Sequence, residues 1–157
     1  MEASFIDLNG DLRRGPAHPY GAPPDIFNPL FYVPNAAINT IIVVHPSVLD
    51  DATPGDLRVA RKILKRTMPL TVTIDAKPLV GIHQDVRWVN NTAPITNVKN
   101  EELILLKAEA QANLNQAADA VAAINIIRTA AGIGVYTGAT TQAALINEIL
   151  YQRRYSL

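Results

Sequence analysis

The chain has 157 residues, 48% of them apolar, and fourteen basic side chains balance fourteen acidic ones. That length supports one modest core, and zero formal charge excludes a global field aimed at nucleic acid or an anionic membrane. The absence of cysteine excludes disulfides and thiolate metal sites, and no run approaches the roughly 18 apolar residues of a membrane-spanning helix.

Residues 1–39 are punctuated by proline and glycine. The stretch Gly15–Pro34 holds six prolines, which denies it regular helix or a central strand. It predicts an extended layer pinned by Tyr20, Phe27, Phe31 and Tyr32. The same aromatics would suit the apolar faces of sugar rings, but packing area is the favoured role for aromatics in irregular segments. Thr40–Val44, TIIVV, is β-branched and predicts a strand or a buried extended segment. The turn-rich HPSVLDDATPGD then places Asp50, Asp51 and Asp56 close together. Clustered carboxylates suit calcium, but the spacing departs from the EF-hand pattern. Capping the next segment, or pairing with Arg58 and Arg61, is the better role for them.

Leu57–Arg66 carries five basic residues in ten. Leu57, Ala60, Ile63 and Leu64 stand at helical spacing opposite Arg58, Lys62 and Arg66, a pattern typical of a solvated basic face. Leu70–Asp75, LTVTID, alternates strictly and predicts a strand. Val86–Asn91, VRWVNN, is its expected partner across a KPLVG turn. Trp88, the single tryptophan, is either a packing anchor or a stacking platform, with packing favoured.

From Asn100 the pattern becomes helical. The first helix is expected over Asn100–Asn113, with Asn100 as N-cap and Glu101 and Glu102 in the first turn. Its apolar face is Leu103, Ile104, Leu106, Ala108 and Ala112. Asn115 suits a left-handed reversal. The second helix is expected over Gln116–Ala131, with Ala117, Ala120, Val121, Ile124 and Ile127 inward and Gly132 as its left-handed stop. Ten alanines between Ala108 and Ala131 imply closely packed axes. A third helix is expected from Thr140 or Thr141 to about Tyr155, with Leu145, Ile146, Ile149 and Leu150 on its apolar side. An apolar stripe is expected to stay exposed along the second and third helices.

The fold class this predicts is mainly α: a tetratricopeptide-like hairpin plus a third helix, preceded by a Pro-rich loop layer and a few short strands. Residues 1–99 form the loop-rich part and 100–157 the helical part, as one structural unit. In the tetratricopeptide comparison Ala108, Ala120 and Ile124 take core positions and Asn115 the turn glycine. Lys107 stands where such repeats prefer leucine.

No catalytic pattern emerges. His18, His45 and His83 share no ligand or triad spacing. GIGVYTG lacks the lysine and preceding strand of a phosphate loop, and Glu101, Glu102 and Glu109 form no acid–base pair. No enzyme activity, cofactor or metal is predicted.

The runs NEELILLKAEA, AVAAINIIRTAAG and NEILYQRRYSL resemble the SusD/RagB-like family of outer-membrane nutrient-binding lipoproteins. Upstream, FNPLFYVPN, HPSVLDDATPGDLRVA and NNTAPITNVKNEELILL occur in the family's order. The resemblance favours extended structure after the aspartates. It implies an internal to C-terminal portion of a longer protein, whose signal peptide and lipidated cysteine lie outside these residues. It further implies non-catalytic, surface-exposed capture of oligosaccharide or another nutrient for a TonB-dependent transporter barrel, without nucleic acid. No ligand residue transfers by motif, so Trp88 and Tyr20 are candidates from side-chain chemistry alone. The alternative is a tetratricopeptide-like protein-interaction scaffold that binds no nutrient.

Overall fold

The computed structural model describes residues 6–38 and 40–157. In chain order the elements are β1 (Ala17–His18), α1 (Ser47–Asp50), α2 (Leu57–Lys62), β2 (Ile63–Ile74), β3 (Lys77–Asp85), β4 (Ile95–Thr96), α3 (Asn100–Asn113), α4 (Ala117–Ala131) and α5 (Gln142–Ser156). They fall into two compact units. One joins the N-terminal segment through His18 to Thr96–Leu157, and the other is Pro19–Ile95.

In the first unit α3, α4 and α5 each pack against the other two. Their shared core is Ile104, Leu105, Ala108 and Ala112 from α3, Ala120, Ala123, Ile124 and Ile127 from α4, and Leu145 and Ile149 from α5. Alanine at four of these ten sites lets the helix axes approach closely. The expected inner face of α3 needs one correction. Leu105 is fully buried, whereas Leu106 is 43% exposed. Leu105, Ala108 and Ala112 follow the three-then-four spacing of one helical stripe, and Leu106 stands off it. On α5, likewise, Leu150 is 51% exposed while Gln152 and Tyr155 are buried. The exposed stripe expected along α4 and α5 is mostly absent, because Ile124, Ile127, Leu145 and Ile149 are buried and Val121, Ile126 and Ile146 pack on that core.

The chain reversals have clear local causes. Asn115 lies at φ 59° and Gly132 at φ 77°. After α3, the Gln116 N–H donates to the Gln111 carbonyl at 2.9 Å and that of Asn115 to Ala112 at 3.2 Å. After α4, Ile133 donates to Arg128 and Gly132 to Thr129 in the same pattern. Both helices therefore end in the six-to-one and five-to-two bonds of a Schellman motif. Thr141 caps α5 by accepting the Ala144 N–H. Two ion pairs tie the helices sideways: Arg128 with Glu148 at 2.6 Å between α4 and α5, and Arg153 with Glu109 at 3.1 Å between α5 and α3.

At the start of α3 the expected cap is displaced by one residue. Lys99 occupies the capping position, without a side-chain bond, and Asn100 is the first helical residue. The Asn100 side chain instead holds the N-terminal segment. Its Oδ1 accepts the Asp7 N–H at 3.0 Å, and its Nδ2 donates to the Asp7 carbonyl at 2.7 Å. In return the segment satisfies the helix. The backbone N–H groups of Asn100 and Glu101 donate to the carbonyls of Arg14 and Leu12, each at 2.9 Å. Orphan amides of the first turn thus find backbone partners about ninety positions earlier in the chain.

The second unit is built differently. The Leu57–Arg66 stretch holds both of its expected conformations, since α2 ends at Lys62 and β2 begins at Ile63. Asp56 caps α2 by accepting the Arg58 N–H and pairs with the Arg58 guanidinium at 2.6 Å. β2 and β3 run antiparallel, with Leu70 opposite Gly81 and Ile74 opposite Lys77. The expected partner of β2 is therefore corrected. KPLVG is strand rather than turn, the turn is Asp75–Ala76, and VRWVNN follows β3. Asp75 at φ 49° and Ala76 at φ 61° form the doubly left-handed reversal that matches strand twist. Between Lys65 and Leu70 the register slips, at the stretch containing Pro69, which has no N–H to offer the ladder. The strands are longer than predicted, twelve and nine residues, so the content is mixed rather than mainly helical. TIIVV adds a short extended stretch, in which Val43 bridges Gln84 and the Val44 N–H donates to the His83 carbonyl.

Among the described residues, Ile41 is the one buried apolar side chain of this unit. Its other buried side chains are Asn28, Asp56, Arg58, Arg66, Gln84 and Asp85. Gln84 is the centre. Its Oε1 accepts from the Asn35 N–H and from Arg66, and its Nε2 donates to the Tyr32 and Val33 carbonyls. Arg66 also donates to the Ala36 and Met68 carbonyls. The Pro-rich layer is anchored by an amide as much as by aromatics. Asn28 is buried and donates to the Ala93 carbonyl, whereas Phe27, an expected pin, is 41% exposed.

Candidate functional site

Of the two residues singled out by chemistry, Trp88 lies just beyond β3 and is half-buried. The Arg87 guanidinium stands over its ring at 4.9 Å from the centroid, a cation–π geometry. Arg87 is itself held by Asp85, through Nε at 2.8 Å and through Nη2. The strand end therefore fixes the arginine, and the arginine covers indole surface. Tyr20 sits in the Pro-rich layer and is also half-buried. The two aromatics belong to the same unit but to separate stretches of it.

A second feature was not visible from side-chain chemistry. In the helical unit an open cleft of about 750 Å³ is lined by Ile6, Pro16, Val98 and Leu103 together with Asp7, Asp11, Arg14 and Asn100. Its size is that of small-molecule clefts, about 300–1,000 Å³, and its mixed lining offers donors, acceptors and an aliphatic floor. Gly15 makes the wall possible, because a Cβ there would lie 1.8 Å from the Val98 carbonyl oxygen. The sequence signals were Gly15 and the buried Asn100, and neither discloses its distant partner.

Several of the polar groups weighed for chemistry are engaged in structural contacts, whereas His83 Nδ1 is buried without a hydrogen-bond partner among the described residues. His45 Nδ1 lies 2.9 Å from Ser47 Oγ and 3.2 Å from the Ser47 backbone nitrogen, the contacts of a helix-start turn. Asp56 is committed to Arg58. Glu109 pairs with Arg153, and Glu101 lies 3.5 Å from Lys99. Among the described residues no group of three or more His, Asp or Glu side chains is placed to hold a metal ion, and no helix is long and apolar enough to cross a membrane.

The helical unit is thus an alanine-rich hairpin closed by a third helix, with a cleft at the head of its first helix. Comparison with known families matches this part of the chain. Residues 101–157, which cover α3 from its second residue through α5, match the model of the SusD family. The resemblance seen in NEELILLKAEA, AVAAINIIRTAAG and NEILYQRRYSL is therefore the SusD/RagB one at the C-terminal portion. No curated protein and no solved structure matches the chain.

Proposed function

We propose that this protein is a non-catalytic, surface-exposed nutrient-binding lipoprotein of the outer membrane, which captures oligosaccharide and passes it to a TonB-dependent transporter barrel. The single observation that carries the reading is the SusD-family match over the three packed helices. In this reading the α3–α4 hairpin acts as one tetratricopeptide-like repeat, a rigid support rather than a ligand contact. The ligand is held by aromatic faces and planar polar groups without bond cleavage. Trp88 and Tyr20 are the proposed stacking residues. Arg87, fixed by Asp85, orders the indole and adds donors at its edge.

Isothermal calorimetry against a panel of soluble oligosaccharides tests the proposal. At least one glycan is expected to bind with no product formed, and Trp88→Ala or Tyr20→Ala is expected to weaken it by about tenfold, the equivalent of roughly 1.4 kcal/mol. Binding unchanged in both folded variants removes these residues from the site. No binding by any glycan, together with stable capture of another protein, supports a scaffold instead.

A further inference from the structure

The chain contains a single Asn-Gly pair, Asn9–Gly10, and it lies in the turn that carries the Asp7–Asn100 contact. We propose that Asn9 is a site of spontaneous deamidation, and that its conversion to isoaspartate releases the N-terminal segment from the head of α3.

The chemistry requires an exposed asparagine followed by an unhindered amide nitrogen. Asn9 is exposed, and among the described residues its side-chain amide has no hydrogen-bond partner. Gly10 has no side chain to obstruct approach at its nitrogen, and its N–H is held weakly, donating to the Asp7 carbonyl at 3.4 Å. The Gly10 nitrogen attacks the Asn9 side-chain carbonyl carbon and loses its proton to solvent base. The C–N bond to the side-chain amine breaks, and ammonia leaves. Water then opens the resulting cyclic imide at either carbonyl, giving aspartate or isoaspartate. The net change is one water consumed and one ammonia released, with no oxidant or cofactor.

Position gives the reaction its consequence. Asp7, two residues before Asn9, makes both reciprocal bonds to Asn100, and Asp11, two residues after it, accepts a further contact from Asn100 Nδ2 at 3.4 Å. Within the turn, the Asn9 N–H donates to Asp7 Oδ1. Isoaspartate routes the main chain through the former side chain and adds a methylene between these anchors. Either product also adds negative charge beside Asp7 and Asp11. Both changes oppose the turn that lets Asp7 reach Asn100.

The test ages the full chain in mildly alkaline buffer, beside a free peptide carrying the same Asn-Gly pair. Peptide mapping, isoaspartyl methyltransferase labelling and hydrogen exchange are the readouts. Conversion is expected at Asn9 ahead of every other asparagine, with isoaspartate the larger product. It should be absent in Asn9→Gln and several-fold slower in Gly10→Ala. Exchange at the Asp7 and Glu101 amides should accelerate in the aged chain and stay unchanged in Asn9→Gln. If Asn9 survives intact while the peptide converts, the turn protects it and the site is refuted. If Asn9 converts but exchange at Asp7 and Glu101 does not change, the release is refuted.

Discussion

Asp7 and Asn100, ninety-three positions apart, hold each other by a reciprocal pair of hydrogen bonds, with the Asp7 N–H donating to Asn100 Oδ1 at 3.0 Å and Asn100 Nδ2 donating to the Asp7 carbonyl at 2.7 Å. This side-chain amide pairs with main chain much as a neighbouring strand would. It ties the N-terminal segment to the helix whose first amides that segment satisfies.

Asn100→Ala is therefore expected to destabilise the helical unit by about 0.5–1.5 kcal/mol for each hydrogen bond lost, since it removes the side-chain partner of the Asp7 backbone. Asn100→Asp keeps the acceptor for the Asp7 N–H but loses the donors to the Asp7 and Asp11 carbonyls. It should not restore stability. Urea unfolding measures both, and wild-type midpoints in the two variants would show that the clamp contributes nothing.

The helical core makes a sharper forecast, because adjacent leucines differ so strongly. Leu105→Ala should cost about 2–5 kcal/mol, the range for deleting a buried leucine side chain. Leu106→Ala should stay within about 0.5 kcal/mol, as an exposed substitution does. The same contrast is expected between Ile149→Ala and Leu150→Ala on α5. Thermal or chemical denaturation of the four variants decides it. Equal losses at Leu105 and Leu106 would mean that α3 is rotated from the orientation described.

These helices were legible because their signals are local. Apolar spacing, the Asn115 and Gly132 reversals and the Thr141 cap all act within a turn or two of chain, and α3 falls on the predicted range, Asn100–Asn113. What was missed was carried by distant partners. Asn100 looked like a cap because Asn caps helices, yet its partners lie at Asp7 and Asp11. β3 was misplaced because Asp75–Ala76 lacks the Asn-Gly or Asp-Gly signature of a tight hairpin, while Pro78 and Gly81 suggested a turn at KPLVG. The buried Gln84 and Arg66 carried no sequence signal, since such residues usually face solvent. For the candidate site, Trp88 and Tyr20 were identifiable by type, whereas the cleft depends on Gly15 meeting Val98 across more than eighty positions.

The hairpin turn yields a stabilising change. Ala76 is held at φ 61°, and the left-handed conformation costs an L-residue roughly 1–2 kcal/mol. Glycine adopts it without that strain but makes the unfolded chain more flexible. Ala76→Gly should therefore stabilise the hairpin by several tenths to about 1 kcal/mol, raising the urea midpoint with an unchanged slope. A lowered midpoint would show that Ala76 does not occupy the left-handed region in solution.

Among the described residues the hairpin unit buries little apolar surface and relies on a polar centre instead. Gln84 uses both its oxygen and its nitrogen to join the Tyr32–Asn35 backbone to Arg66, and among the described residues no carboxylate pairs with Arg66. Three neutral oxygens, from Met68, Gln84 and Ala36, receive its guanidinium. Gln84→Leu keeps much of the side-chain volume but removes one of those acceptors and leaves the 32–35 backbone groups unmatched. A loss of about 1–3 kcal/mol is expected for each buried group left unsatisfied. Arg66→Met removes the charge itself and with it the need for the Gln84 acceptor. If the two residues act as one network, the double variant should lose less than the sum of the singles, with a coupling of about 0.5–3 kcal/mol. A double-variant cycle by chemical denaturation measures that difference. Strict additivity would show that the Gln84–Arg66 contact is incidental and that the hairpin is held elsewhere.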